Sequence, residues 1–267
     1  MDVEAIKERQ AQIWGQGDYT VLSRQLAPAA QVLCDACAVS AGQEVLDVGA
    51  GDGNFAVACA REGASVVASD ISPGMVERGR ARAQAEGYDV EWVVGDAEAL
   101  PFEDARFDCV GSVFGAFIAP RPEVVARELF RVVRAGGVVG LTSWTPDGSM
   151  AELFGLGRSF APPDPDQPPS ELWGDEATAR ERLGPVAAHI ELERHALRWT
   201  ADSPQAFLEQ FRQSAPTMAA ARRALPADRF EELSRLQLEL MERWNAASDG
   251  SLLLEPEYVV ILARRRG

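Results

Sequence analysis

The sequence is poor in cysteine, histidine and lysine, and each shortage argues against a class of protein. Its 267 residues contain four cysteines, two histidines and a single lysine, Lys7. Four cysteines are too few for a disulfide scaffold in a chain of this length. Cys34 and Cys37 form one C-x-x-C pair, but neither histidine lies in a motif that supplies a second pair of zinc ligands. We therefore predict buried packing cysteines and no metal site.

The chain also lacks an excess of basic charge and any long apolar run. It carries 26 basic and 41 acidic side chains, a net charge of -15 that repels a phosphate backbone, so nucleic acid is a poor candidate substrate. No stretch approaches the ~20 apolar residues that a membrane span requires, and the first ten residues lack the apolar region of a signal peptide. We predict a cytoplasmic protein with a small-molecule partner and no membrane partner; a homodimer is left open.

Strand-like and helix-like segments alternate along residues 43–145. Short apolar strands are predicted at 44–48, 65–69, 90–94, 107–112 and 138–144, and helices at 54–62, 73–86 and 122–134. This βαβ rhythm is typical of a doubly wound, mostly parallel sheet with helices on both faces. We predict an α/β, Rossmann-like core over these residues.

Two further regions flank this core. Residues 1–42 look helical and predict an N-terminal helical cap. Residues 146–267 form the other region, and its first part, within 145–170, is rich in proline, glycine and aspartate, with the prolines concentrated at 162–169. We interpret 145–170 as an excursion over the sheet edge. The later segments are a helix at 175–183, a strand at 189–199, helices at 204–213 and 226–246, and a strand at 258–263. We expect the inserted helices to form a lid and the last strands to complete a seven-stranded sheet in the same domain.

A glycine-rich loop follows the first predicted strand. Gly49-Ala50-Gly51-Asp52-Gly53 lies between that strand and a helix, which lets the backbone approach a ligand beside a helix N-terminus. Asp70 ends the second strand 21 positions after Gly49, where a carboxylate can accept from both hydroxyls of a ribose. Asp96 follows the third strand and either caps a turn or accepts from the amine of an adenine. Together these residues predict an adenosine-containing cofactor.

The charge of this loop favours a cofactor without phosphate. Asp47 lies two residues before the first glycine, and Asp52 lies within the loop, so both disfavour a diphosphate. Asn54 stands where a dinucleotide fingerprint has its third glycine. S-adenosylmethionine has no phosphate, and its ammonium and sulfonium gain from nearby carboxylates. The residues therefore predict a cationic, phosphate-free adenosine cofactor, a description that S-adenosylmethionine fits, and Asp47 could bind its ammonium directly or through water.

Five segments of the core occur in an order and spacing typical of one enzyme family. They are EVLDVGAGDG at 44–53, VASDISPGM at 67–75, GDAEALPF at 95–102, FDCV at 107–110 and ELFRVVRAGG at 128–137. The set resembles the class I S-adenosylmethionine-dependent methyltransferases, especially the small-molecule branch that includes the ubiquinone and menaquinone biosynthesis enzymes. Outside residues 43–144 the resemblance is loose.

The resemblance implies a set of cofactor-binding residues. They are Tyr19, Asp47, Gly49, Ala50, Gly51, Asp70, Ile71, Met75, Asp96, Ala97, Ser112 and Phe114. The loop glycines would border the methionine part, Asp70 and Ile71 the ribose and adenine, and Asp96 and Ala97 the adenine. Tyr19 would belong to an N-terminal element that covers the cofactor.

The sequence marks no catalytic base. The resemblance implies that Ser112 and Phe114 lie where cofactor and acceptor meet, and a plain core position for Phe114 is the alternative. His189, His195 and Tyr19 could take a proton from an acceptor, but no motif singles them out, and both histidines flank an alternating segment where outward polar residues are expected. Alignment and desolvation can drive displacement from a sulfonium without covalent catalysis. We predict methyl transfer to an O, N or C atom of a small-molecule acceptor by in-line displacement.

Two other classes of function stay open from the sequence. An NAD(P)-dependent oxidoreductase would use the same sheet, but it would be expected to show the missing glycine and a Tyr-x-x-x-Lys donor set in a chain with one lysine. A non-catalytic protein that binds an adenosine cofactor would keep the loop and lose access for the acceptor.

Overall fold

The computed structural model describes residues 2–16, 18–161 and 167–267. Its strands are β1 (Glu44–Val48), β2 (Ser65–Asp70), β3 (Val90–Val94), β4 (Phe107–Val113), β5 (Val133–Trp144), β6 (Ala187–Ala196), β7 (Trp199–Ala201), β8 (Leu252–Leu254) and β9 (Glu257–Arg265). Seven of them form one sheet in the order β3-β2-β1-β4-β5-β9-β6, and β7 pairs with β8 in a separate ribbon.

The sheet is parallel from β3 through β5, and β9 runs antiparallel between β5 and β6. Strands β1 and β2 are buried at every residue except the first, as expected for strands covered by helices on both faces. The predicted mostly parallel, seven-stranded, doubly wound α/β fold is confirmed.

Ten α-helices occur among the described residues. They are α1 (Val3–Trp14), α2 (Thr20–Ala36), α3 (Asn54–Arg61), α4 (Pro73–Glu86), α5 (Pro122–Val132), α6 (Ser149–Phe160), α7 (Glu176–Leu183), α8 (Pro204–Ser214), α9 (Pro216–Ala224) and α10 (Ala227–Trp244). Four of these helices begin with proline at the first position, where its missing N–H leaves no hydrogen bond unmade. None of the described helices is long and apolar enough to cross a membrane.

The strand order places a crevice at one end of the sheet. The chain passes from β1 outward to β2 and β3, and then returns to the other side of β1 to form β4. The loops that leave β1 and β4 therefore diverge to opposite sides, and ligands bind open α/β sheets at such a point. The loops after β1, β2, β3 and β4 all emerge at this end of the sheet.

The region after β5 differs from the sequence prediction in several elements. The predicted strand 189–199 ends at Ala196, and Trp199 belongs to β7, which pairs with β8. Helix α6 lies within the segment interpreted as an excursion, because the prolines and acids of that segment are concentrated after it. Helix α9 was not predicted either. The proline run at 162–166 lies outside the described residues.

The helices inserted between β7 and β8 pack against the N-terminal cap. Helix α8 contacts α2, α9 contacts α1, and α10 packs on α6 and α8. Trp199 donates from its indole to the backbone oxygen of Gln25 in α2 at 3.3 Å. The insertion therefore supports the cap from outside.

Candidate active site

A cleft of about 900 Å³, its open mouth included, lies at the carboxyl ends of β1, β2, β3 and β4. Helices α1 and α2, together with Tyr19 immediately before α2, contribute to its lining through Lys7, Gln10, Trp14, Tyr19 and Leu26. All of the predicted cofactor-binding residues except Ser112 line it. Sequence positions far apart thus converge on one site.

The glycine loop after β1 packs tightly against the loop after β4. Gly49 has a φ of 63°, a conformation that side chains disfavour. A Cβ on Gly49 would lie 2.9 Å from the backbone carbon of Gly115, and a Cβ on Gly115 would lie 2.2 Å from the Gly49 oxygen. Both positions need glycine, because only bare backbone lets the two loops meet beside the cleft.

Asp47 is a buried carboxyl with an unused oxygen. Its Oδ2 accepts from the backbone N–H of Ala56 at 2.9 Å, in the first turn of α3. Its Oδ1 has no hydrogen-bond partner among the described residues. Burial raises the pKa of Asp47 to about 7, and the nearby charges of Asp70 and Asp52 add to the shift. A cationic group in the cleft would satisfy this oxygen, so the residue fits the ammonium of S-adenosylmethionine.

Asp70 is held in place by backbone donors on both oxygens. Its Oδ2 accepts from the N–H of Gly51 and its Oδ1 from the N–H of Ser72, each at 2.8 Å. Burial raises the pKa of this carboxyl, and the two hydrogen bonds oppose the shift. Each oxygen can accept one further bond, which suits the two hydroxyls of a ribose.

Asp52 and Asn54 fasten the cap helix α2 to the glycine loop. Ser23 donates from Oγ to Asp52 Oδ1 at 2.5 Å, and Asn54 donates from Nδ2 to the backbone oxygen of Ser23 at 2.8 Å. Arg82 lies 3.3 Å from Asp52 Oδ1 and donates to Asn54 Oδ1 at 2.8 Å. The charge of Asp52 is therefore balanced by Arg82, and Asn54 hydrogen-bonds to α2 and α4 where a dinucleotide-binding loop has glycine.

Asp96 carries a partner that the sequence analysis missed. Lys7 Nζ donates to Asp96 Oδ2 at 2.6 Å, and the backbone N–H of Glu98 donates to Asp96 Oδ1 at 2.8 Å. Lys7 is only 6% exposed and also lies 2.8 Å from Glu98 Oε2. The one available signal was that the only lysine of the chain lies in a helix of the cap.

The aromatic rings of Tyr19 and Trp14 lie over the glycine loop. Their rings meet edge to face at 5.9 Å, and the Tyr19 ring lies 3.4 Å from where a Cβ on Gly51 would stand. Burial raises the pKa of the Tyr19 phenol far above its ordinary value, with the charges of Asp52 and Asp70 adding to the effect. The phenol thus stays protonated at neutral pH, which argues against the predicted role of Tyr19 as a base.

Ser112 lies behind the cleft, and its hydroxyl is used by the backbone. Its Oγ donates to the Val48 oxygen at 2.6 Å and accepts from the N–H of Ala116 at 2.8 Å. Ser112 therefore does not line the cleft, unlike the other residues predicted to bind the cofactor. It positions the loop after β4 against the end of β1.

The two histidines lie away from the cleft. Both are on β6, the edge strand three places beyond β4 in the sheet. His189 is exposed, with Nε2 2.7 Å from Glu191 Oε1, and the His195 ring stacks on Tyr258 at 5.5 Å. The structure therefore does not bring either histidine to the lining of the cleft.

Phe114 adopts a strained conformation at the cleft wall. Its φ is 54°, a region that non-glycine residues rarely occupy. Its ring stacks on Trp144 at 4.1 Å, and its N–H donates to Thr142 Oγ1 at 3.0 Å. These contacts hold the aromatic side chain where the predicted junction of cofactor and acceptor lies.

Comparison with known proteins agrees with this geometry. The sequence model of a methyltransferase domain family matches residues 45–137, which build most of the cleft. An uncharacterized Mycobacterium tuberculosis protein is 35% identical over 259 residues, 95% of this chain and 93% of that protein. A demethylmenaquinone methyltransferase of Clavibacter sepedonicus is 44% identical over 102 residues, 38% of this chain and 41% of that enzyme.

A solved structure is similar over nearly the whole chain. A Bacillus halodurans protein assigned as a methyltransferase superposes with a TM-score of 0.63 and 25% identity, over 89% of this chain and 99% of that one. None of these matches favours the oxidoreductase alternative. With its methyltransferase domain, its fold and these relatives, the chain belongs to the class I S-adenosylmethionine-dependent methyltransferases.

Proposed function

We propose that this methyltransferase acts on a small, largely apolar acceptor, and that alignment and exclusion of water supply most of its catalysis. The observation that carries this proposal is the lining of the cleft. The charged side chains there come from α1 and from the ends and following loops of β1, β2 and β3. The last residue of β4 and the segment after it, residues 113–120, contribute only apolar side chains and glycine.

The acidic residues of the cleft would bind the cofactor. Asp47 would hold the ammonium, Asp70 the ribose hydroxyls and Asp96 the adenine amine, because each has acceptor capacity to spare. The bound cofactor supplies a methyl group on a sulfonium, which leaves as a neutral thioether when an acceptor attacks in line. Tyr19 and Trp14 would exclude water from above.

No dedicated base is assigned to the reaction. Tyr19 keeps its proton, Asp47 would be paired with the ammonium, and both histidines lie outside the cleft. We therefore propose an acceptor atom that is already nucleophilic or that gives its proton to water. Oxygen, nitrogen and carbon acceptors all remain within this description.

The parts of the chain would divide this work. Residues 1–42 would cap the cofactor, 43–145 would bind it, and 146–267 would serve the substrate side. The inserted helices are proposed to act as a lid through α1, because α9 contacts that helix. The net charge of -15 supports the proposal that nucleic acid is not a partner. The cytoplasmic location and the homodimer stay predictions, the second testable by light scattering.

The test combines calorimetry with methyl-labelled cofactor. We expect S-adenosylhomocysteine to bind and label to reach apolar acceptors but not charged ones, in a panel graded from charged to apolar. Labelling of charged acceptors alone would overturn the apolar assignment. Binding with no labelling of any acceptor would favour the non-catalytic alternative, and an absence of binding heat would overturn the cofactor assignment.

A further inference from the structure

Lys7 forms a buried ionic contact across the mouth of the cleft. It lies on α1, and its ammonium approaches Asp96 Oδ2 at 2.6 Å and Glu98 Oε2 at 2.8 Å. Glu4 lies farther away, at 3.7 Å, and is largely exposed. Lys7 and Asp96 both line the cleft, so the pair is accessible to a ligand bound at that wall.

Glu98 has a second cation of its own. Its carboxyl accepts from the backbone N–H of Arg121 at 2.6 Å and from Arg121 Nε at 2.8 Å. Burial opposes the charge on Lys7, but the hydrogen bonds to Asp96 and Glu98 outweigh it and leave the pKa of Lys7 raised. The two carboxylates are thus balanced by two cations, and an uncharged ligand edge can join the cluster without an unpaired charge.

The Lys7–Asp96 pair presents a donor beside an acceptor. An ammonium has three N–H donors, and the acceptors Asp96 Oδ2 and Glu98 Oε2 account for two of them. Each carboxylate oxygen of Asp96 accepts one bond in the described structure and can accept another. Adenine offers the complementary pattern, because its 6-amino group donates and the ring nitrogens on either side of that group accept.

We propose that Lys7 is a specificity-determining residue for the cofactor, donating its third N–H to N1 or N7 of the adenine while Asp96 accepts from the 6-amino group. The proposal rests on the assignment of the cleft to S-adenosylmethionine. It makes the cap helix a part of adenine recognition as well as a cover.

Deaza analogues of the cofactor product test this directly. Calorimetry would measure the affinities of S-adenosylhomocysteine and of its 1-deaza and 7-deaza analogues, each of which lacks one ring nitrogen. We expect the wild-type protein to bind one analogue about tenfold or more weakly than S-adenosylhomocysteine, as for a lost hydrogen bond to a charged donor. In Lys7→Met we expect S-adenosylhomocysteine and that same analogue to bind with affinities that agree within about twofold, because the donor is gone.

Arg9→Met is the matched control, since it removes a positive charge from an exposed position of the same helix. This variant should keep the wild-type ratio between the affinity for S-adenosylhomocysteine and the affinity for the weaker analogue. If Lys7→Met fails to fold by circular dichroism, Lys7→Leu, which also lacks a donor, takes its place. A wild-type protein that binds both analogues as tightly as S-adenosylhomocysteine overturns the proposal, and so does a ratio that survives in the Lys7 variant. A wild-type protein that does not bind S-adenosylhomocysteine overturns the proposed function itself.

Discussion

At the scale of single residues, Asp47 shows how a binding group costs stability before its ligand arrives. The carboxyl is 1% exposed, has one unpaired oxygen and has two acidic neighbours. Its pKa in the folded protein, about 7, lies well above the ordinary 3.8. A raised acid pKa means that the folded state favours the protonated form, so stability falls as pH rises from about 4 to about 7.

Asp47→Asn removes this penalty. We expect the cofactor-free variant to be more stable than the wild-type protein at pH 8, by on the order of a few kcal/mol, with a difference that shrinks towards pH 4. Urea unfolding at both pH values measures this, and equal stability at pH 8 contradicts it. The same variant is expected to bind S-adenosylhomocysteine more weakly, because an amide does not attract an ammonium as a carboxylate does.

Asp70→Ala removes the proposed ribose acceptor. We expect S-adenosylhomocysteine affinity to fall about 100-fold or more, because two charge-assisted hydrogen bonds and the anchor of Gly51 are lost together. Calorimetry measures the affinity and circular dichroism checks the fold. Asp89→Ala, at an exposed acid near the opposite end of the next strand, is the matched control. An unchanged affinity in the Asp70 variant would sink the ribose assignment.

Sequence reasoning located the acids of the cleft because each lies at the end of a predicted strand or in the loop that follows it. It missed Lys7, whose partner Asp96 is 89 positions away in the chain. It also misplaced Ser112, since nothing in the sequence tells that a hydroxyl is occupied by two backbone groups. Pairings of this kind depend on tertiary packing, which local pattern does not encode.

At the scale of elements, the meeting of two glycine loops should be sensitive to a single methyl group. Gly49→Ala combines a positive φ with a Cβ that would lie 2.9 Å from Gly115. Gly87→Ala, at the end of α4, shares the positive φ but has open space around it. We expect the first to cost about 1–3 kcal/mol more in unfolding free energy than the second, because the loops must separate.

Urea unfolding of the two alanine variants compares these costs. Equal destabilisation would show that backbone strain alone matters and that the loops tolerate the added methyl group. We also expect Gly49→Ala to weaken S-adenosylhomocysteine binding, since the displaced loop carries Gly51 and its bond to Asp70.

The elements that the sequence predicted well are those in which a mainly apolar segment lies next to a recognisable motif. Strands β1 to β4 were located within a residue or so, since apolar residues predominate in them and the family's glycine and aspartate motifs follow β1, β2 and β3. The β7–β8 pair was missed because each strand has three residues and its partner lies beyond three helices. Such short strands form only when distant packing aligns them.

At the scale of the whole molecule, the cap and the sheet should respond to cofactor together. Helix α1 is tied to three different loops or helices across the cleft. Lys7 reaches Asp96, Gln10 donates to the oxygen of Ile118 at 2.9 Å, and Arg78 donates to the oxygen of Gly15 just after α1. A ligand that bridges these partners would favour the closed arrangement.

S-adenosylhomocysteine is therefore expected to slow amide hydrogen exchange in α1 and in the loops after β1, β2 and β3. At about 100 times Kd the slowing should be about tenfold or more, while β6 at the far edge is expected to change little. Exchange mass spectrometry measures both regions. Protection confined to the inserted helices, with α1 unchanged, would contradict the role given to the cap.

The position of β9 has a consequence for synthesis on the ribosome. This strand follows every other element in the sequence, yet it lies between β5 and β6 inside the sheet. Strands β1 to β5 can pair as they emerge, whereas one edge of β5 stays open until residues 257–265 are translated. Open edges of this kind recruit other chains. The nascent protein thus exposes the unpaired edge of β5 while more than a hundred residues remain to be translated. During that interval we expect chaperones to protect it most from aggregation.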